Sequence, residues 1–112
     1  MLTAAAVVFA LAAVGGLILA MRHFQGKPLP VPVAFLHGLL GASGLTLLLI
    51  AIASMTEPGS VAIAAVLFGI TAIGGFILVS FHMRSKRHPS ALIVLHGGLA
   101  VTAFLILLFA IL

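Results

Sequence analysis

Hydrophobic positions run along this chain without the alternation of a strand or the half-polar stripe of a soluble helix. Four apolar runs cover about residues 2–23, 33–55, 61–83 and 91–112, and short polar segments separate them. Each run is close to the roughly 20 residues a helix needs to cross the hydrocarbon core of a bilayer. The pattern predicts an all-α membrane protein with four transmembrane helices in one domain over residues 1–112. The first separator, residues 24–32, carries Pro28, Pro30 and Pro32 at alternate positions, which favours an extended turn and then a helix entry. The second is Thr56-Glu57-Pro58-Gly59-Ser60, where Pro-Gly signals a turn and Ser60 is expected to cap the third span. The third, residues 84–90, is the most basic stretch of the chain.

The pattern occurs twice. Gly15-Gly16, His23, Lys27, Pro30 and Leu36-His37-Gly38 recur as Gly74-Gly75, His82, Lys86, Pro89 and Leu95-His96-Gly97. The offset is 59 throughout (74 − 15, 82 − 23, 96 − 37), with no gap. Repeat 1 spans residues 2–53 and repeat 2 residues 61–112, and 20 aligned positions are identical. Shared apolar composition inflates that count but does not explain matched His, Lys, Pro and Gly-Gly. Each unit contains two spans, so both copies cross in the same sense. The expected architecture is therefore two parallel-related helical hairpin repeats forming a pseudo-twofold four-helix bundle.

Composition sharpens this picture. The chain of 112 residues is 64% hydrophobic and 5% charged, against about 25% charged in soluble domains. Its environment is the lipid bilayer. The net charge of +4 does not point to nucleic acid, because Arg22, Lys27, Arg84, Lys86 and Arg87 all lie at the first and third loops, where they act as topology signals. With no cysteine, disulfides, thiolate ligands and iron–sulfur clusters are excluded. The first run lacks a positive n-region and is longer than a usual signal-peptide core, so it reads as a retained span. The only acid, Glu57, falls in a loop, which argues against a small multidrug exporter with an intramembrane carboxylate. No nucleophile–base pair, phosphate loop or metal-hydrolase motif appears.

Candidate chemistry rests on the five histidines. His37 and His96 lie about one turn inside the second and fourth spans, and an ionisable group within a span marks function by default. Counting ten residues either way from Lys27 or Lys86 places each of them at nearly the depth of its Gly-Gly pair. Two imidazoles at one depth on different helices, with glycine-opened apolar space beside them, suit a planar macrocycle such as haem b held by two axial histidines. Gly15, Gly16, Gly74 and Gly75 would then face the porphyrin, and Arg22, Lys27, Arg84 and Lys86 would meet its propionates. His23 and His82, at the ends of the first and third spans, have either an ordinary solvated role, a propionate contact or a second bis-histidine haem. His88 reads as solvated.

Blander readings stand beside these. His37 and His96 also suit interhelical hydrogen bonds to a backbone carbonyl, Ser43 or Thr46. The glycines suit tight helix contact, and Met21, Met55 and Met83 suit packing. Zinc or copper on the four repeated histidines, a quinone near His23 or His82, and a chlorophyll-type pigment remain as alternatives.

The stretch from Gly15 to Leu40 resembles part of the cytochrome b561 family of transmembrane electron carriers. There a span ends in a basic loop and the next begins with a Leu-His-Gly-type motif whose histidine ligates haem b. Leu36-His37-Gly38-Leu39-Leu40, with Lys27 upstream, matches it, and the repeat makes His96 the natural second ligand. That family usually carries a histidine pair toward each side of the membrane, whereas no histidine lies on the Glu57 side here. The resemblance implies electron transfer near the cytoplasmic face, with redox partner proteins, a larger membrane complex or a homodimer as company. The contrasting expectation is a non-catalytic accessory subunit that uses its histidines as helix glue.

Positive-inside asymmetry places both basic loops in the cytoplasm and both termini outside, in what reads as a bacterial inner membrane. Protease added to intact cells should therefore reach both termini, and protection of both would overturn this orientation.

Overall fold

The computed structural model describes residues 1–112, all of them in or between four helices. These are α1 (Leu2–Phe24), α2 (Val31–Ala53), α3 (Ser60–Met83) and α4 (Ser90–Ile111), and there is no strand. Each is long and apolar enough to cross a membrane. The bundle is 45 Å along its main axis, close to the roughly 40–45 Å of a bilayer with its headgroup layers. In hydrocarbon the helix is the natural solution, because every backbone polar group is satisfied within the segment.

The helix boundaries sit within about two residues of those the sequence suggests, an ordinary spread for helix ends. The one qualitative difference concerns Ser60. It lies inside α3 as its first residue, the cap position is Gly59 at φ 52°, and no side chain caps the helix. Glycine takes this left-handed conformation without steric penalty, so the turn ends one residue earlier than a serine cap would place it.

The two hairpins are built alike. α1 ends in a left-handed residue, Gly26 at φ 71°, and α3 ends in its counterpart, Ser85 at φ 53°. Lys27 N–H then bonds Arg22 O and Lys86 N–H bonds Phe81 O, which closes the last carbonyls of each helix. Pro30 and Pro89 precede α2 and α4 in matching extended conformations. Proline is suited there because its missing N–H falls where a helix leaves donors unpaired in any case.

α1 packs against α2 and α4, and α3 against α4 and α2. The close-packed core gathers Ala5, Ala6, Phe9, Leu48, Val61, Ala64, Phe68, Ala103 and Leu107. Equivalent residues of the two repeats meet or correspond there. Phe9 stacks flat on Phe68 with ring centroids 3.7 Å apart and planes 2° from parallel. Ala5 and Ala64, like Leu48 and Leu107, are fully buried at the same offset of 59 (64 − 5, 107 − 48).

This core occupies the half of the bundle that holds the termini and the Glu57 loop. Toward the basic loops the packing loosens: no residue within 13–22, 33–43, 72–83 or 90–102 is buried, and His23 is the only buried residue at that end. The molecule is thus more tightly packed at one end than at the other.

Gly44 belongs to the tightly packed half. A Cβ at this position would lie 2.9 Å from Phe9 Cε1, and the Phe9 ring cannot retreat because Phe68 lies flat against it. Gly44→Ala should cost about 1–3 kcal/mol of stability through overpacking, read by thermal or detergent unfolding. An unchanged midpoint would show that the stacked pair yields freely.

Candidate functional site: a paired-histidine centre and a basic cavity

The inner site starts from a local property of helices. A carbonyl at position i already accepts the N–H of residue i+4 and is normally shielded by the side chain there. In α1 the residue four beyond Ala12 is Gly16, and in α3 the residue four beyond Thr71 is Gly75. With no side chain at those positions, an imidazole from the neighbouring helix reaches the carbonyl. His37 Nδ1 lies 2.8 Å from Ala12 O, and His96 Nδ1 lies 2.9 Å from Thr71 O. A carbonyl only accepts, so in each bond Nδ1 donates and carries the hydrogen.

The glycine pairs are therefore occupied by histidine. A Cβ on Gly16 would lie 2.9 Å from His37 Cε1, and one on Gly15 would lie 3.4 Å from His37 Cβ. The corresponding contacts to His96 are 3.2 Å at Gly75 and 3.6 Å at Gly74. The four glycines, expected to face a porphyrin, here lie against imidazole. Each pair receives the imidazole of its own hairpin, because the ring must lie flat on the helix to reach the carbonyl. Thr71, buried beneath His96, turns its hydroxyl back to Leu67 O and leaves its own carbonyl for the imidazole.

The two imidazoles then meet across the bundle. Their ring centroids are 6.1 Å apart, with planes at 77°. No hydrogen bond engages Nε2 of either ring, and neither nitrogen is sealed away without a partner. Each histidine thus has one nitrogen locked as a donor and the other free with its lone pair.

The outer site lies at the basic loops. His23 is buried and hydrogen-bonds Ser90 Oγ at 2.9 Å, tying α1 to α4. The imidazole contacts at this end run through His88, whose ring lies 5.8 Å from that of His82 and 6.4 Å from that of His23. No ring contact joins His23 to His82 directly, so they do not form a facing pair like His37 and His96. His88 is half-buried between them, contrary to its expected solvated position. The fold of the third loop, with Ser85 in the left-handed region, brings it inward. Burial first, and then the charges of His82 and His23, lower its proton affinity below that of an ordinary histidine, against a raising by the Leu78 backbone.

Of the four expected propionate cations, Lys27 and Lys86 line a cavity of about 460 Å³ together with His23, His82, Arg87 and His88. The other two are engaged elsewhere. Arg22 Nε donates to Pro28 O. Arg84 folds back to Ser80 O and Oγ and lies over the Phe81 ring.

No set of three or more His, Cys, Asp or Glu side chains converges into a metal site, so the four repeated histidines do not gather as a zinc or copper centre would require. Compared with family models, curated proteins and solved structures, the chain matches none. The sequence carried a clear signal for the inner pair in its spacing of 59. It carried none for His88, which has no counterpart in the first repeat, since Leu29 stands there.

Gly16→Ala should displace His37 and weaken its bond to Ala12 O, at a cost of about 1–3 kcal/mol, whereas Gly74→Ala should be nearly neutral because its Cβ has room. Histidine NMR, following the hydrogen-bonded Nδ1 proton together with thermal stability, checks the order. Equal effects of the two substitutions would count against the cradle.

Proposed function

We propose that the protein is a small membrane electron carrier that binds haem b through His37 and His96. The observation that carries this reading is the state of the two imidazoles. Each is fixed by an Nδ1–H bond to a backbone carbonyl, which orients the ring and leaves Nε2 as the basic nitrogen, the arrangement typical of metal-ligating histidine. Two imidazoles sharing one metal at about 2 Å per bond have ring centroids roughly 6 Å apart, and the observed separation is 6.1 Å. The donor chemistry of the two residues suits the group, and their ring separation supports the reading. On the loop side of the pair His23 is the only buried side chain, so this half of the bundle is the less tightly packed one.

In this reading haem supplies the one-electron chemistry, and the protein supplies ligands, burial and tuning of the potential. Ala12 O and Thr71 O hold the rings in place and raise the basicity of Nε2. The stacked Phe9 and Phe68 close the bundle on the far side and exclude water. The absence of histidine beyond that stack keeps the site toward the basic-loop side, so a partner protein or a larger membrane complex would carry electrons onward. The pseudo-twofold relation of the hairpins makes the two ligands equivalent in origin.

A second reading is favoured by the same hydrogen bonds. His37 joins α2 to α1 and His96 joins α4 to α3, as expected of histidines that hold hairpins together in a non-catalytic accessory subunit.

Spectra of the purified protein, expressed with ample haem, separate the two. The carrier should show a Soret band and, on dithionite reduction, a sharp α-band, both lost in His37→Ala and His96→Ala variants that still fold. A pigment-free protein whose His37→Ala variant fails to assemble would favour the accessory subunit.

A further inference from the structure

We infer that the basic cavity at the loop end is a phosphate-binding site, formed by both hairpins and strengthened on acidification. Positive-inside topology explains why cations lie at this end. It does not explain why side chains from both hairpins converge on one cavity. His23 and Lys27 come from the first hairpin, and His82, Lys86, Arg87 and His88 from the second. The space, about 460 Å³, is open to the surface and has room for a phosphate headgroup.

The charge balance points to an anion. Three permanent cations and three imidazoles line the space, and no carboxylate does. Glu57, the single acid, sits in the α2–α3 loop at the opposite end of the bundle. Lys27, His82, Lys86 and Arg87 make no side-chain hydrogen bonds within the chain, so their donors are free for a ligand. A tetrahedral phosphate offers several acceptors and matches Arg and Lys donors arriving from different directions. Two sources present such a group here: the headgroup of an anionic phospholipid, since the cavity lies where the helices leave the membrane, and a soluble phosphate.

The acid dependence follows from what surrounds His88. His82 on α3 and His23 on α1 face its ring, and Lys27 of the α1–α2 loop lines the same cavity together with Lys86 and Arg87 of its own loop. From α2 the cavity receives only uncharged Val31, and Ser90 at the start of α4 is engaged by His23. The neighbouring imidazoles and burial disfavour its proton. A bound anion cancels part of that repulsion, so binding and protonation assist each other.

Pigment-free protein in neutral detergent, titrated calorimetrically with short-chain phosphatidylglycerol and separately with inorganic phosphate, tests the site independently of haem. Binding of the lipid alone assigns the headgroup, binding of inorganic phosphate alone assigns a soluble source, and binding of both shows that the phosphate group itself is read. The phosphodiester charge does not titrate in this range, so lipid binding should tighten several-fold between about pH 7.5 and about pH 5.5. Lys86→Gln with Arg87→Gln should weaken binding about tenfold. His88→Gln should flatten the pH dependence, and Glu57→Gln at the far end should change nothing. No binding of either ligand, or binding insensitive to the Lys86 and Arg87 changes, would overturn the proposal.

Discussion

The arrangement of the inner half of this bundle depends on one hydrogen bond made twice, from an imidazole Nδ1–H to a carbonyl that its helix has already used. In an apolar bundle an unpaired ring nitrogen is costly, and neither His37 nor His96 hydrogen-bonds a side chain. The acceptor is supplied by backbone, through glycine four residues beyond it. That requirement brings α2 onto α1 and α4 onto α3 at a defined rotation, and it aims the two rings at each other. It also leaves each Nε2 without a hydrogen-bond partner, and that is the nitrogen the proposed haem site would use.

The two ends of the bundle divide the work. At the end holding the termini, Phe9 on Phe68, with alanines and leucines around them, makes a close-packed seal. At the loop end the packing is open and the side chains are basic. A chain this short has little surplus stability to spend on an open half. At that end the chain turns through left-handed Gly26 and Ser85 and enters α2 and α4 through extended Pro30 and Pro89. Ser85 is the less comfortable of the turn residues, since a side chain there disfavours positive φ. The same loop turns His88 inward and completes the cavity.

Much of the fold was legible without coordinates. Run lengths near that of a bilayer span leave a helix little alternative in lipid, and the prolines and Gly59 mark the turns. The site was legible in part. His37 and His96 were marked by depth and by repetition, and the spacing argument put Gly15-Gly16 and Gly74-Gly75 at their level. What those glycines do was not legible. A gap for a macrocycle and a cradle for an imidazole call for the same residue, and the contact of Gly16 with His37 Cε1 is visible only in the fold. His88 was set aside because it lacks a counterpart in the first repeat, yet its ring lies between those of His23 and His82.

The sequence by itself determined four apolar helices, their order, the shared end of the basic loops and the positions that recur at an offset of 59. Those properties depend on run length, charge position and a fixed offset, all of which are one-dimensional. Only the tertiary structure decided which carbonyl each imidazole takes, which cations turn away toward their own backbone, and how six basic side chains from two hairpins line one open cavity. Those depend on the rotation of each helix about its axis. A helix that is apolar on every side carries almost no rotational signal, so the rotation emerges only when the backbone carbonyls of one helix meet the imidazole of the next.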